Sequence, residues 1–265
     1  MKEIRRLGVF DSGLGGLTVL NEICKYNRGL EISYFGDTAR VPYGSRSDET
    51  ILAYARQDVR FLQSRNVDAI VVACGTVSAI ALNSLKSELD FPIFGVIESA
   101  ANAAIAATKT RSIGIIGTIA TIRSGAYMRT IKAKDGDARV YGVACPLLVP
   151  LIENGHAPDD EIVELACKRY LSEFKDSGVD TVIMGCTHYP FYKQTLKRLA
   201  PEITFIDIGT ALAKDLKRLL NLAPSGEGKV EYFVSDSDTG FQAIANGFLD
   251  SVRADFINSV NIERY

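Results

Sequence analysis

Two cysteines, Cys74 and Cys186, end two similar apolar segments of the sequence, VDAIVVAC and VDTVIMGC. Each segment has the composition of a β-strand and is followed by a turn of small or hydroxyl residues before a helical pattern begins. If two such halves pair about a pseudo-twofold axis, the thiols approach a bound ligand from opposite faces. This arrangement suits removal of a proton from one face and delivery of a proton to the other.

The position of both cysteines favours catalytic roles. A cysteine at a strand-to-helix junction lies near the amides of the helix N-terminus, whose partial positive charge lowers the pKa of the thiol. Free cysteines are more often small buried hydrophobes, and for either thiol alone that interpretation is the better one. The matched pair favours catalysis by Cys74 and Cys186. The other cysteines lie within helical or strand patterns and are interpreted as buried: Cys24, Cys145 and Cys167.

Other candidate groups also fall at predicted strand ends, where open α/β sheets bind their ligands. His188 lies two positions after Cys186 and is suited to tune that thiol or to relay its proton. Asp11 is either a helix N-cap, the default for such a residue, or an acid/base partner. Tyr43 and Gly44, within the segment 40–46, either cover the same site or belong to an ordinary surface turn. Hydroxyl donors for a ligand carboxylate are expected at Ser12, Thr76, Thr118, Thr121 and Thr187.

Composition and motif spacing exclude several classes of protein. With 30 basic and 32 acidic residues and no basic run, the chain is not expected to bind nucleic acid. The segment DSGLGG lacks the G-x-G-x-x-G spacing because position 18 is threonine, and no Walker A motif occurs, so no nucleotide cofactor is expected. His156 is the only other histidine, which leaves too few ligands for a zinc site.

The expected compartment is the cytoplasm. No apolar run reaches membrane-spanning length, and the N-terminal residues lead directly into a strand pattern, so neither a membrane partner nor export is expected. Five cysteines without C-x-x-C spacing indicate free thiols and not a disulfide framework.

Short β-type runs alternate with helical patterns, which predicts an α/β fold. Three strand ends of the first half have counterparts in the second. We therefore expect two pseudo-symmetric lobes, 1–97 plus 208–265 and 98–207, each a mostly parallel sheet flanked by helices, with the active site in the cleft between them. The predicted strands are 7–10, 31–36, 68–73, 93–97, 112–116, 138–143, 179–184, 203–208 and 230–234. The predicted helices are 15–27, 47–64, 77–89, 99–108, 119–133, 159–176, 189–200, 210–221 and 239–250.

Four segments carry a resemblance to a known family: FDSGLGG at 10–16, YFGDTARVPYG at 34–44, ACGT at 73–76 and GCTHYP at 185–190. With these motifs the sequence resembles the cofactor-independent glutamate racemases over nearly its whole length. The resemblance implies an active site between two α/β lobes and no pyridoxal phosphate or other cofactor. It also implies interconversion of L- and D-glutamate for peptidoglycan synthesis, by a protein that is a homodimer, as family members commonly are.

The resemblance also implies roles for individual residues. Cys74 is expected to act on D-glutamate with help from Asp11. Cys186 is expected to act on L-glutamate with help from His188 and Glu153. The implied substrate-binding residues are Asp11, Ser12, Pro42, Tyr43, Gly44, Gly75, Thr76, Thr118, Thr121, Thr187 and His188.

One residue departs from the pattern of the family, and two other functions stay open. Gly75 stands where the family usually has an asparagine that contacts the substrate, so a backbone amide or a water is expected to replace that contact. The first alternative function is racemisation of aspartate or another small acid, although aspartate enzymes usually carry an acidic residue at the position of His188. The second is a binding protein that holds an acidic metabolite between two lobes without chemistry.

Overall fold

Two parallel β-sheets with helices packed against them form the protein, in a computed structural model that describes residues 3–27, 29–222, 228–236 and 257–265. The strands are β1 (Arg6–Asp11), β2 (Glu31–Gly36), β3 (Ala69–Val72), β4 (Ile93–Gly95), β5 (Ser112–Gly117), β6 (Arg139–Ala144), β7 (Thr181–Met184), β8 (Thr204–Asp207), β9 (Lys229–Val234) and β10 (Ile257–Ser259). The first sheet has the order β10-β9-β2-β1-β3-β4 and the second β6-β5-β7-β8. Neighbouring strands within these sheets are parallel, which confirms the predicted α/β fold.

Helices connect the strands. They are α1 (Gly16–Tyr26), α2 (Asp48–Ser64), α3 (Gly75–Ile80), α4 (Leu82–Glu88), α5 (Ile97–Ala107), α6 (Ile119–Ser124), α7 (Ala126–Lys134), α8 (Leu148–Glu153), α9 (Glu161–Ser172), α10 (Lys193–Leu199) and α11 (Ile208–Leu219). Side-chain caps explain where three of them begin. Ser47 accepts from the Thr50 amide at α2, Thr118 from the Thr121 amide at α6, and Asp207 from two amides at α11. In the described residues, none of these helices has the length and apolarity needed to cross a membrane.

Four strands of the first sheet follow the same order as the four strands of the second. The segment β2-β1-β3-β4 corresponds to β6-β5-β7-β8, so that β3 and β7 occupy equivalent central positions. All four residues of β3, and all four of β7, are buried. Short apolar runs of this kind suit strands that are covered on both faces. Because each run ends just before a cysteine, the fold places Cys74 and Cys186 at equivalent carboxyl ends of the two sheets.

The two sheets share an apolar core. One cluster of buried side chains includes Val9 of β1, Ile97 of α5, Ile115 of β5 and Leu212 of α11. Helix α11 packs against α1 and α5, while β9 and β10 extend the first sheet along one edge. The predicted lobe boundaries stay a prediction.

Several elements differ from the predicted pattern. The helix predicted over 77–89 is divided into α3 and α4 at Ala81. The helix predicted over 119–133 is interrupted at Gly125, whose φ of 64° lies in the left-handed region that glycine tolerates. Helix α8 and strand β10 were not predicted. The helix predicted over 239–250 lies outside the described residues.

Candidate active site

The carboxyl ends of both sheets meet around a cavity of about 130 Å3. Asp11 and Thr121 are not in its wall, but each contacts a residue that is: Asp11 accepts from Thr187, and Thr121 contacts Thr118. The predicted site residues that line the cavity are Ser12, Pro42, Tyr43, Gly44, Cys74, Gly75, Thr76, Thr118, Glu153, Cys186, Thr187 and His188. Wall residues that sequence reasoning missed are Val41, Ser45, Ile119, Cys145, Pro146, Val149 and Pro150.

Cys74 enters the cavity from the first sheet, between the end of β3 and the first residue of α3. Its thiol lies 3.6 Å from Ser12 Oγ. Burial, together with the charge of Asp11, raises the pKa of the Cys74 thiol to about 12, although the Val77 amide and Ser12 act in the opposite direction. The expectation of a lowered pKa is therefore wrong for Cys74. The amides of the six-residue α3 do act on the sulfur, but the loss of water contact outweighs them.

Cys186 enters the cavity from the second sheet, two residues after β7 ends. Its Sγ lies 3.8 Å from Nδ1 of His188. On the other side of the imidazole ring, Nε2 lies 3.3 Å from Oε1 of Glu153, although this N–H is not aligned for a hydrogen bond. The three side chains therefore form a row in which a nearly buried imidazole separates the sulfur from a partly exposed carboxylate.

The imidazole in this row carries a proton over a wide pH range. Burial disfavours the charged form of His188, but the contacts with Cys186 and Glu153 and the charge of Asp11 outweigh it and raise the pKa of the ring to about 10. At neutral pH the ring is thus a cation beside Cys186. A cation at this distance stabilises negative charge on the sulfur.

Asp11 supports the site from beneath the cavity wall. It is fully buried at the end of β1, accepts from the Gly13 amide at 3.0 Å and accepts from Thr187 Oγ1 at 3.3 Å. Burial raises the pKa of Asp11, against the opposing effects of His188 and the neighbouring donors. The N-cap position of α1 belongs to Gly15, so Asp11 is not the helix cap that its sequence position suggests. Instead it joins the first loop of one sheet to the cysteine-bearing loop of the other.

Hydroxyl groups from both sheets meet on one side of the cavity. Thr76 Oγ1, at the start of α3, lies 2.9 Å from Thr118 Oγ1 and 3.4 Å from Thr121 Oγ1. Thr118 Oγ1 also lies 2.9 Å from Thr121 Oγ1. Hydroxyls of this kind can rotate to donate to a ligand carboxylate without changing their own charge. The predicted donors Thr76 and Thr118 are therefore brought together, and Thr121 lies behind them.

The turn at 41–45 is part of the cavity wall. Tyr43 is almost fully buried. Gly44 packs closely against Thr118, which follows β5 of the second sheet: a Cβ built on Gly44 would lie only 2.7 Å from Thr118 Cβ. This contact decides between the two interpretations that spacing alone leaves open. The turn covers the cavity and is not an ordinary surface turn.

A buried charged cluster that sequence reasoning missed lies beneath this turn. The Tyr43 hydroxyl donates to Asp37 and, at 3.3 Å, to Asp58. Arg40 bridges the same carboxylates, with Nε at 2.5 Å from Asp37 and Nη2 at 3.0 Å from Asp58. Asp58 is fully buried in the middle of α2, where a carboxylate normally faces solvent. Its signal in the sequence is its register, since it shares the apolar face of α2 with Ile51, Ala55 and Leu62.

The assembled groups are suited to proton transfer. Two thiols from different sheets face one cavity, and one of them stands beside a cationic imidazole. Hydroxyl and amide donors are available for a carboxylate. Among the described residues, no group of three or more His, Cys, Asp or Glu side chains is placed to hold a metal ion.

Comparison with known proteins relates this site to a family. A family model described as Asp/Glu/Hydantoin racemase matches residues 21–216. The chain is 42% identical over 253 residues to a glutamate racemase of Sulfurihydrogenibium sp., which covers 95% of this chain and 96% of that protein. Its structure is similar to that of a glutamate racemase from Francisella tularensis in complex with D-glutamate, with a TM-score of 0.91, 34% identity, and coverage of 98% of this chain and 99% of that chain. It is also similar to a glutamate racemase from Thermus thermophilus in complex with beta-chloro-D-alanine, with a TM-score of 0.88, 38% identity and coverage of 100% of both chains. The chain belongs to the Asp/Glu/hydantoin racemase family.

Proposed function

We propose that the protein is a glutamate racemase, an isomerase that interconverts L- and D-glutamate by proton transfer between two cysteines without a cofactor. The observation that carries this proposal is the position of Cys74 and Cys186 in the wall of one cavity, at equivalent strand ends of two sheets. Thiols that approach from different sheets give each face of the α-carbon its own acid/base group. The relatives named glutamate racemase support the choice of substrate.

Each reaction direction uses one thiolate and one thiol. From L- to D-glutamate, the Cys186 thiolate removes the α-proton, and the Cys74 thiol donates its proton to the opposite face. Cys186 ends as a thiol and Cys74 as a thiolate, which is the state that the reverse reaction requires. His188, with Glu153 beside it, stabilises charge on Cys186, and Asp11 is the carboxylate that assists Cys74.

The carbanion that forms between the two transfers must be stabilised by the protein. Fixed donors that point at developing charge are effective for this purpose when water is excluded. We assign the substrate carboxylates to the hydroxyls of Ser12, Thr76, Thr118 and Thr187 and to the amides at the start of α3. Pro42, Tyr43 and Gly44 cover the bound substrate. The amide of Gly75, or a bridging water, supplies the contact for which this residue has no side chain.

D-glutamate made by this enzyme would supply peptidoglycan synthesis, and we place the enzyme in the cytoplasm as a homodimer with no nucleic acid or membrane partner. We also propose that 1–97 plus 208–265 and 98–207 act as two lobes that close on the substrate.

Serine variants of the cysteines test the proposal. We expect Cys74→Ser and Cys186→Ser each to lose racemisation of glutamate, because a hydroxyl is far too weak an acid/base group to replace a thiol here. Cys24→Ser is the matched control, since Cys24 lies on α1 outside the cavity wall. Polarimetry of L- and D-glutamate solutions follows the reaction in both directions.

Other outcomes of this assay would favour other functions. Near-normal turnover by Cys186→Ser would contradict the two-cysteine mechanism. Racemisation of aspartate in place of glutamate by the wild-type protein would make the substrate assignment wrong. Tight glutamate binding without racemisation by the wild-type protein would favour a binding protein.

A further inference from the structure

The start of helix α1, in the first sheet's half of the cavity, lies against the two residues that follow Cys186. A Cβ built on Gly15, the N-cap of α1, would lie 2.4 Å from His188 Nδ1 and 2.4 Å from Thr187 Oγ1. Real Cβ atoms essentially never approach another heavy atom within 3.0 Å. The main chain of Gly15 is helical, with φ of −56° and ψ of −33°, so alanine there meets no backbone strain. The neighbouring side chains alone leave no room for a methyl group.

Thr18, in the first turn of α1, holds the main chain of the same two residues. Its hydroxyl lies 2.9 Å from the carbonyl oxygen of Gly15 and 2.8 Å from the carbonyl oxygen of Thr187. The first contact is the local bond that threonine commonly makes within a helix. The second crosses from the first sheet to the second and fixes the peptide that leads into His188. This peptide therefore cannot withdraw from Gly15 without losing a hydrogen bond.

The atom of His188 that faces Gly15 is also the atom that faces the thiol. Nδ1 lies 3.8 Å from Cys186 Sγ, and on the far side of the ring Nε2 lies 3.3 Å from Glu153 Oε1. A methyl group at residue 15 would push on the ring edge that contacts the sulfur. Nδ1 would have to move until it lies at least 3.0 Å from the new carbon, instead of 2.4 Å.

We propose that Gly15 and Thr18 are positioning residues that hold the His188 imidazole against Cys186 from the opposite sheet. Gly15 leaves the space that the ring occupies, and Thr18 fixes the peptide that carries the ring. The inference rests on the proposed racemase function, in which Cys186 exchanges a proton with the substrate and His188 assists it. A misplacement of about 1 Å can cost roughly 10²-fold in rate, so the smaller displacement of this ring should cost roughly 10-fold.

The variant Gly15→Ala of the full chain tests the space that the ring requires. Its matched control is Gly114→Ala, because a Cβ there would lie 2.9 Å from the Phe174 ring, inside the second sheet's own core. Both variants crowd an aromatic ring, but only Gly15→Ala crowds the ring beside a thiol. The steady-state kcat and KM are measured with both enantiomers of glutamate, and the melting temperature is measured for each variant.

The variants Thr18→Val and Thr18→Ser test the hydrogen bond. Valine keeps the branched shape without the hydroxyl, and serine keeps the hydroxyl. The matched control is Thr195→Val, since the Thr195 hydroxyl also donates from the first turns of a helix, α10, to a main-chain carbonyl, that of Pro158. Neither Thr195 nor Pro158 is in the cavity wall.

An isotope effect shows which proton transfer is impaired. The value of kcat/KM must fall equally in both directions, because enantiomers have equal free energies in water. Misplacement of His188 slows transfer at Cys186 alone. With α-deuterated substrates, the isotope effect should therefore increase from L-glutamate, where Cys186 removes the deuteron, and decrease from D-glutamate, where Cys74 removes it. Weaker binding of the substrate carboxylate by Thr187 would change both isotope effects alike.

Gly15→Ala is expected to lower kcat/KM by roughly 10-fold or more, with this opposite change of the two isotope effects. Thr18→Val should show the same pattern with a loss of roughly 2- to 10-fold, and Thr18→Ser should restore the wild-type values. Gly114→Ala should lower the melting temperature but keep kcat/KM, and Thr195→Val should keep kcat/KM. Wild-type isotope effects in Gly15→Ala would overturn the inference. If Gly15→Ala does not fold, wild-type isotope effects in Thr18→Val would overturn it.

A second measurement does not depend on racemisation. His188 and His156 are the only histidines, so protein labelled with 15N-histidine gives NMR signals from two rings, which His188→Gln assigns. Against the effect of burial, the contact with Cys186 is the largest of those that raise the pKa of His188 to about 10, followed by Glu153 and the charge of Asp11. A ring displaced from the sulfur should lose its proton at a lower pH.

The His188 signal of Gly15→Ala should therefore titrate at a lower pH than that of the wild type and of Gly114→Ala, while the His156 signal stays the same. This result would support the inference even if the wild-type protein did not racemise glutamate, in which case the proposed function alone would fail. An unchanged titration of His188 in folded Gly15→Ala would overturn the inference.

Discussion

The two candidate catalytic thiols have similar local sequences but different surroundings. Cys74 is enclosed by apolar groups and lies near the Asp11 carboxylate, and both features favour the neutral thiol. Cys186 lies 3.8 Å from Nδ1 of His188, whose ring carries a proton at neutral pH. The two thiols therefore face opposite electrostatic surroundings, with a carboxylate near Cys74 and a cationic imidazole beside Cys186. A reaction that is symmetric in its substrates is catalysed by a chemically asymmetric site.

The raised pKa of His188 predicts a pH-dependent contribution to folding. The folded protein keeps the proton on this ring up to about pH 10, whereas the unfolded chain releases it near pH 6.5. The stabilisation is complete below about pH 6.5 and decreases as the pH rises towards 10, at up to about 1.4 kcal/mol per pH unit. Urea unfolding of the wild type and of His188→Gln should therefore show a stability difference that decreases over this range.

The control for this experiment is the other histidine. His156 is partly exposed and lies 2.9 Å from Asp160 near the surface. The variant His156→Gln is the matched control for the replacement of a histidine by glutamine. A difference between wild type and His188→Gln that stays constant from about pH 6.5 to pH 9 would contradict the assignment of a protonated His188.

The site residues that could be identified from the sequence are those whose reactive side chain and position at a strand end both indicate catalysis. Cys74, Cys186 and His188 could be found because reactive side chains at strand ends are unusual, and all three line the cavity. Asp58 could not be found in this way, because a carboxylate within a helix is usually solvated. Only its place on the apolar face of α2 distinguishes it.

At the scale of elements, the covering turn depends on helix α2. The turn carries Tyr43 into the cavity wall, and α2 supplies the buried Asp58 to which Tyr43 and Arg40 are bonded. Burial, and then the charge of Asp37, raise the pKa of Asp58 well above its ordinary value. One arginine therefore faces two buried carboxyl groups, and burial disfavours the charged form of Asp58.

The raised pKa of Asp58 predicts that Asp58→Asn is well tolerated. An amide keeps the shape and neutral charge of a protonated carboxyl group, so we expect the free energy of unfolding to change by about 1 kcal/mol or less. Asp58→Ala removes a partner of the buried Arg40 and should cost about 3–5 kcal/mol. Urea denaturation measures both. Because the turn loses its support, Asp58→Ala should also raise the KM for glutamate.

An equal loss of stability in both Asp58 variants would contradict this account, because it would show that the negative charge is needed. Asp48→Asn serves as the control on the same helix. Its side chain is about half exposed and forms an ion pair with Arg123, and exposed pairs of this kind contribute about 1 kcal/mol at most.

The strands and helices that could be predicted are those with a clear local sequence pattern. The runs AIVV of β3 and TVIM of β7 are apolar throughout, and both strands were predicted. Helix α8 was missed because Pro150 interrupts its short sequence, although proline is tolerated in a first helical turn. Strand β10 was missed because INS contains only one apolar residue, and it forms only by pairing with β9. Such elements depend on tertiary contacts that local patterns do not record.

At the scale of the whole molecule, the shared strand order of the two sheets explains the repeated strand ends in the sequence. The matched segments end β1 and β5, β3 and β7, and β4 and β8, which occupy equivalent positions. The repeat thus predicted which residues would share a cavity. It did not predict how closely the halves approach. The contact of Gly75 with Gly185 joins residues that are 110 positions apart, and it depends on the relative placement of two sheets.

The closeness of the halves has a consequence for turnover. The thiols are nearly inaccessible, and the turn at 41–45 covers the cavity from the first sheet while touching the second. We therefore propose that the turn or the lobes move to admit the substrate, so that opening and closing are part of each catalytic cycle. Closure then excludes water from the carbanion.

Proton exchange at the α-carbon tests the central claim most directly. The purified protein, without added cofactor, is incubated in D2O with L-glutamate and separately with L-aspartate, and the α-proton signal is followed by NMR. The two-cysteine account predicts loss of the glutamate signal together with the appearance of D-glutamate, and no loss of the aspartate signal. A glutamate α-proton that persists in the presence of the folded protein would contradict it.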